Sequence, residues 1–66
     1  MDINKLKVLR KNKNISQSFL GNALKITQSA YNKKENGLNP FTLQEVKKLK
    51  KILNISDYDV IDIFLK

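Results

Sequence analysis

Apolar residues recur along the chain at helical spacing, and polar punctuation cuts the pattern into five short pieces. Ile3, Leu6, Leu9 and Arg10 share one face of a first helix that fades in Lys11-Asn12-Lys13-Asn14. Ser16 offers an N-cap hydroxyl to a second helix, with Ile15 before it and Leu20 inside it spaced for a hydrophobic staple. Leu20, Ala23 and Leu24 form the buried stripe of that helix. Thr27 caps a third helix from about Gln28 to Lys34, which stops at Asn36-Gly37, where glycine takes the left-handed conformation cheaply. After the loop Leu38-Asn39-Pro40-Phe41, the run Thr42-Leu43-Gln44-Glu45 reads as a capping box. It opens a fourth helix with Val46, Leu49, Ile52 and Leu53 inward and Lys47, Lys48, Lys50 and Lys51 outward. Ser56 caps a last helix from Asp57 to about Phe64, with Asp57 and Asp59 placed well for the helix dipole. No segment alternates as a strand does. The pattern predicts an all-α fold.

The stretch from Ser16 to Gly37 holds two capped helices joined by only a few residues. Gly21 lies inside the first of them, where glycine costs ~1 kcal/mol relative to alanine. Close approach of the third helix would explain its presence. With Leu20, Leu24, Ile26 and Tyr31 turned inward, the third helix presents Gln28, Ser29, Asn32 and Lys33 outward. Gln can bond bidentately to adenine in the major groove, Lys can donate to guanine, and Ser or Asn can serve either. Taken alone, the same four residues are also what an ordinary polar surface looks like.

Composition changes the picture in two ways. The 66 residues include no cysteine and no histidine, which removes disulfides, cysteine zinc sites and the commonest general base. With acids few and scattered and no phosphate-binding glycine loop, an enzyme is nearly excluded, and no metal or cofactor is expected. The charge also has a direction. Residues 1–51 carry twelve of the thirteen basic side chains and three acids, net +9. Residues 52–66 carry three acids and Lys66, net −2. One end is suited to a polyanion and the other is not. No apolar run approaches the ~20 residues of a membrane span, and no signal-peptide segment opens the chain, so a soluble, cytoplasmic protein is expected.

The run Ile15-Ser16-Gln17, Leu20-Gly21, Leu24-Lys25-Ile26-Thr27-Gln28-Ser29, Tyr31 and Glu35-Asn36-Gly37 resembles the lambda-repressor-like helix-turn-helix family. That family includes phage repressors, Cro proteins and small Xre-type regulators. The resemblance extends from Leu6 to the start of the last helix. It implies a compact five-helix DNA-binding domain over residues 1–66, with the helix-turn-helix at helices 2 and 3 and double-stranded DNA as the partner. By this resemblance, Gln28, Ser29 and Lys33 read base edges, with Thr27 and Asn32 at the margin. Gln17 and Asn36 hold phosphates; outside what the resemblance implies, Lys25, whose charge would point towards the backbone, and Asn39 are further candidate phosphate contacts. Arg10 and Glu35 match a structural ion pair, although a surface phosphate contact stays open for Arg10. Three departures stand out: Lys25 at a turn position often held by glycine, Phe19 where a polar residue is usual, and Lys34 where an apolar one is common. Phe19 is read as an added core residue, against an exposed misfit or a protein contact. Lys34 is read as packing its stem and sending its amine to solvent.

Val60, Ile61, Ile63, Phe64 and Leu65 offer more apolar surface than so short a helix can bury, which points to a homodimer interface. The alternative is that they complete the monomer core. Within these 66 residues no separate sensing or oligomerisation domain is expected, and no small-molecule ligand is evident. The expected function is therefore a small dimeric repressor of Cro or Xre type, from a phage or mobile element. An antitoxin or restriction-modification controller of the same fold is the nearest rival. An antirepressor that binds another regulator is the rival from a different class.

Overall fold

The computed structural model describes residues 2–65, and the described chain is all helical. Helix α1 runs Ile3–Asn12, α2 Gln17–Ala23, α3 Gln28–Glu35, α4 Leu43–Ile52 and α5 Asp57–Val60, the last continuing as a π-helical turn over Ile61–Leu65. Four of the five starts are fixed by a side chain. The hydroxyls of Ser16, Thr27, Thr42 and Ser56 accept the backbone N–H of Phe19, Ala30, Glu45 and Asp59 at 3.0 to 3.1 Å. At Thr42 the capping box is complete, because Glu45 Oε1 accepts the Thr42 N–H at 2.8 Å. Each such cap is worth ~1 kcal/mol, a large share of what helices this short need.

The helix ends share one solution. Asn14, Lys25, Gly37 and Asn54 all have positive φ, between 52° and 80°. The next residue in each case donates its N–H back five positions: Ile15 to Arg10, Ile26 to Gly21, Leu38 to Lys33 and Ile55 to Lys50, at 2.9 to 3.2 Å. These are Schellman closures with an apolar residue just past the left-handed position, as the motif favours. Glycine meets that need without strain, and asparagine tolerates it. Lysine at position 25 does neither.

Leu6, Leu20, Leu24, Tyr31, Leu49, Leu53, Ile55 and Ile63 form the core, with Ile3, Leu9, Ile15, Ile26, Phe41, Ile52, Val60 and Phe64 packed around it. Burying each aliphatic side chain contributes ~1.5–3 kcal/mol. An aromatic path crosses the molecule from α3. Tyr31 and Phe41 have ring centroids 5.8 Å apart, and Phe41 meets Phe64 edge-on at 5.7 Å.

Three side chains depart from the sequence reading. Ile63, assigned to a dimer interface, is fully buried in the monomer core. The turn of chain that carries it packs on α1, and the Asp2 N–H donates to the Asp62 carbonyl at 3.1 Å. Phe19, read as core, is 57% exposed. The Ser16 cap sets the register of α2 so that Leu20 and Leu24 point inward, and Phe19 is left beside a shallow cleft with Ile15 and Ile52. Lys34 does not send its amine to solvent. Its Nζ donates to Glu45 Oε1 at 2.6 Å and Oε2 at 2.9 Å, tying α3 to the capping box of α4.

Candidate nucleic-acid interface

Gly21 sets how closely the two helices approach. A Cβ at this position would lie 3.2 Å from the Ile26 carbonyl oxygen and 3.3 Å from that of Thr27. Both are backbone atoms of the turn leading into α3, so a larger side chain would push the third helix away. On the far side of α3, the side chains of Gln28, Ser29 and Lys33 are exposed, and none makes a hydrogen bond to another described residue. Thr27 is exposed beside them and its hydroxyl oxygen caps α3. Lys25, Asn36 and Asn39 are exposed as well. Lys25 lies at the turn between α2 and α3. Asn39 lies in the following loop, on the rim of an apolar groove with Pro40 and Phe41.

The remaining candidate residues belong to one network. Arg10 Nε donates to Glu35 Oε2 at 2.8 Å and Nη2 to Oε1 at 3.1 Å, while Nη1 reaches the Ile15 carbonyl at 2.8 Å. Arg10 is 7% exposed and Glu35 1%, so the guanidinium is committed to the interior and the phosphate-contact alternative for it falls. Gln17 Nε2 donates to Glu35 Oε1 at 3.1 Å. Asn32 Nδ2 donates to Gln17 Oε1, Asn36 Nδ2 to Asn32 Oδ1, and Lys7 Nζ to Asn36 Oδ1, each at 3.2 Å. The chain of bonds thus runs from a buried carboxylate to the surface across α1, α2 and α3.

Electrostatics follow from this wiring. Burial pushes the Glu35 carboxyl up, but the hydrogen bonds from Arg10 and Gln17 outweigh it and hold the group below its usual value. Glu35 in turn raises Arg10 further, against the desolvation of the guanidinium. The Tyr31 hydroxyl is buried with no hydrogen-bond partner among the described residues, and burial and the Glu35 carboxylate together push its ionisation far up. All three groups keep their ordinary charge at neutral pH.

Sequence reasoning did not assign a role to Lys7, nor the Lys34–Glu45 tie. Lys7 lies three residues before Arg10 on α1, so a helical projection brings them near each other but does not show that Lys7 reaches Asn36. At the acidic end, Lys5 Nζ pairs with Asp59 at 2.8 Å and Asp62 at 3.2 Å, and Lys50 with Asp57 at 3.1 Å. The carboxylates of the last helix are thus paired with Lys5 and Lys50, whereas Lys7, Lys25 and Lys33, on or beside the α2–α3 unit, are among the lysines that meet no carboxylate of the described residues.

Two capped helices locked at a tight turn, the second with a free polar face, define a helix-turn-helix domain. The helix-turn-helix family model matches residues 6–60, and the chain belongs to this lambda-repressor-like family of DNA-binding regulators. No curated protein and no solved structure gives a match. No described helix is long and apolar enough to cross a membrane.

Proposed function

We propose that the chain, acting as one domain over residues 1–66, is a dimeric, operator-binding repressor of Cro or Xre type, of phage or mobile-element kind, working in the cytoplasm. The observation that carries this reading is the free polar face of α3. Gln28, Ser29 and Lys33 are exposed and make no side-chain hydrogen bond among the described residues, on a helix held by contacts with Arg10, Gly21 and Glu45. Gln28 reads adenine, Lys33 reads guanine, and Ser29 with Thr27 completes the base contacts. Gln17, through its remaining amide N–H and the first N–H groups of α2, grips phosphate together with Asn36, Lys25 and Asn39. Repression follows when operator occupancy excludes polymerase.

For the dimer, Ile61 and Leu65 remain, 44% and 73% exposed, flanked by the half-buried Val60 and Phe64. Leu65 borders an apolar groove of about 520 Å³, to which Leu43 and Val46 also contribute. Two copies joined there would set their third helices into successive major grooves, ~34 Å apart. The test is a pair of substitutions measured against one bound duplex and its single-base variants. Gln28→Ala should cost ~1–3 kcal/mol and relax preference at one base pair. Gln17→Ala should weaken every duplex alike. If Gln17→Ala changed sequence preference, the division between base and phosphate contacts would be wrong.

A further inference from the structure

Asn32 is exposed on α3 with Ser29 and Lys33, a position that sequence reasoning assigns to the margin of base reading. Its bonding suggests a different use. The amide is engaged on both sides, donating to Gln17 Oε1 and accepting from Asn36 Nδ2. The direction of these bonds is forced from both ends. Glu35 is ionised and can only accept, so Gln17 must turn its NH2 towards it. The Gln17 carbonyl then faces Asn32 and requires that residue's NH2. The Asn32 carbonyl in turn requires the NH2 of Asn36, whose own carbonyl meets the ammonium of Lys7, which can only donate. With an obligate acceptor at one end and an obligate donor at the other, none of the three amides is free to flip.

We infer that Asn32 is a positioning residue that holds the phosphate-directed amides of Gln17 and Asn36 in one fixed orientation, relayed from the buried Arg10–Glu35 pair, and does not itself read a base. The inference rests on the DNA-binding reading above. In this arrangement Gln17 keeps one amide N–H free, and its direction is set before DNA arrives. A phosphate oxygen then meets a pre-oriented donor and the complex does not bear the cost of ordering it. Because all the groups tied by Asn32 are directed at the backbone or lie inside the protein, its removal should affect affinity without affecting the sequence read.

The experiment is a double-substitution cycle with Asn32→Ala, Gln17→Ala and both together. Binding is measured to a duplex selected by the unaltered chain and to its single-base variants. Alanine is the better helix former at this exposed site, so thermal melting should not fall. Asn32→Ala should weaken every duplex by the same factor, about 3- to 10-fold, which is the range of one lost hydrogen bond. It should leave the order of preferred sequences and the salt slope unchanged. In the Gln17→Ala background its effect should be smaller, because only the Asn36 amide is then left for it to position. Effects that add, or a change in the preferred base at any position, would overturn the positioning role while leaving the DNA-binding reading intact. An unaltered chain that binds no duplex would sink the DNA-binding reading, and the positioning role with it.

Discussion

Arg10 and Glu35 join the first helix to the third by two parallel hydrogen bonds, 2.8 and 3.1 Å long, in a site where the Glu35 side chain has no exposure at all. Desolvating two charges is expensive, so such a pair adds little net stability, yet breaking it leaves a buried charge without its partner. Glu35→Ala is therefore expected to cost ~3–5 kcal/mol in urea denaturation. The double change Arg10→Met with Glu35→Leu should cost much less than the sum of the single losses. Additive losses would mean that the two groups do not act as a unit.

Acid should find the same wiring. Burial raises both Glu35 and Glu45, but the hydrogen bonds from Arg10 and Gln17 to the first, and from Lys34 and the Thr42 N–H to the second, leave both below the usual 4.5. A carboxyl that binds its proton more weakly in the folded than in the unfolded chain stabilises the fold above its unfolded value. That contribution shrinks as the pH falls below 4.5 and is gone once the folded values are passed. The urea midpoint should be level between neutral pH and about 5, then fall with further acid. A midpoint that rose on acidification would contradict the assignment.

Lys25 has φ of 61°, the one left-handed position among the described residues that has neither glycine nor asparagine. Lys25→Gly should relieve strain of ~1 kcal/mol, less what glycine gives back through a more flexible unfolded chain, for a net gain of roughly 0.5 kcal/mol. If Lys25 also meets a phosphate, the same substitution should lower the slope of log affinity against log salt by about one. A more stable protein with an unchanged slope would remove Lys25 from the interface.

Most of the fold was legible in the sequence because the signals that carry it are local. Ser16, Thr27, Thr42 and Ser56 announce their helices by residue type and spacing, and each makes the expected cap. Gly21 is an anomaly of propensity that tight packing explains. What was not legible depends on which residues meet across the molecule. Ile63 looks the same as Ile61 in any hydrophobic count, and only the path of the π-helical turn sends one inward and leaves the other out. Lys34 finds Glu45 eleven residues away across a loop, and no periodicity predicts that. At the site, the outward residues of α3 could be read from the helical projection. The use of Asn32 could not, because it depends on contacts with α2 and with the end of α3.

The exposed apolar residues of the last turn make a separate prediction. Leu65→Lys and Ile61→Lys should shift a dimer towards monomer in sedimentation without lowering the melting temperature, since both side chains are exposed in the monomer. Binding to a half-site should survive, and cooperative binding to a full site should be lost. An unaltered chain that sediments as a monomer at every concentration tested, with or without DNA, would rule out this interface.

Whether the free face of α3 reads a DNA sequence is decided by selecting bound duplexes from a random pool. An inverted repeat with half-sites about one helical turn apart should be enriched, bound with an affinity that falls steeply with salt. A pool that yields no sequence above weak general binding would rule out sequence reading by α3 and favour a chain that uses this fold, with the exposed Phe19 and Leu65, to hold another protein.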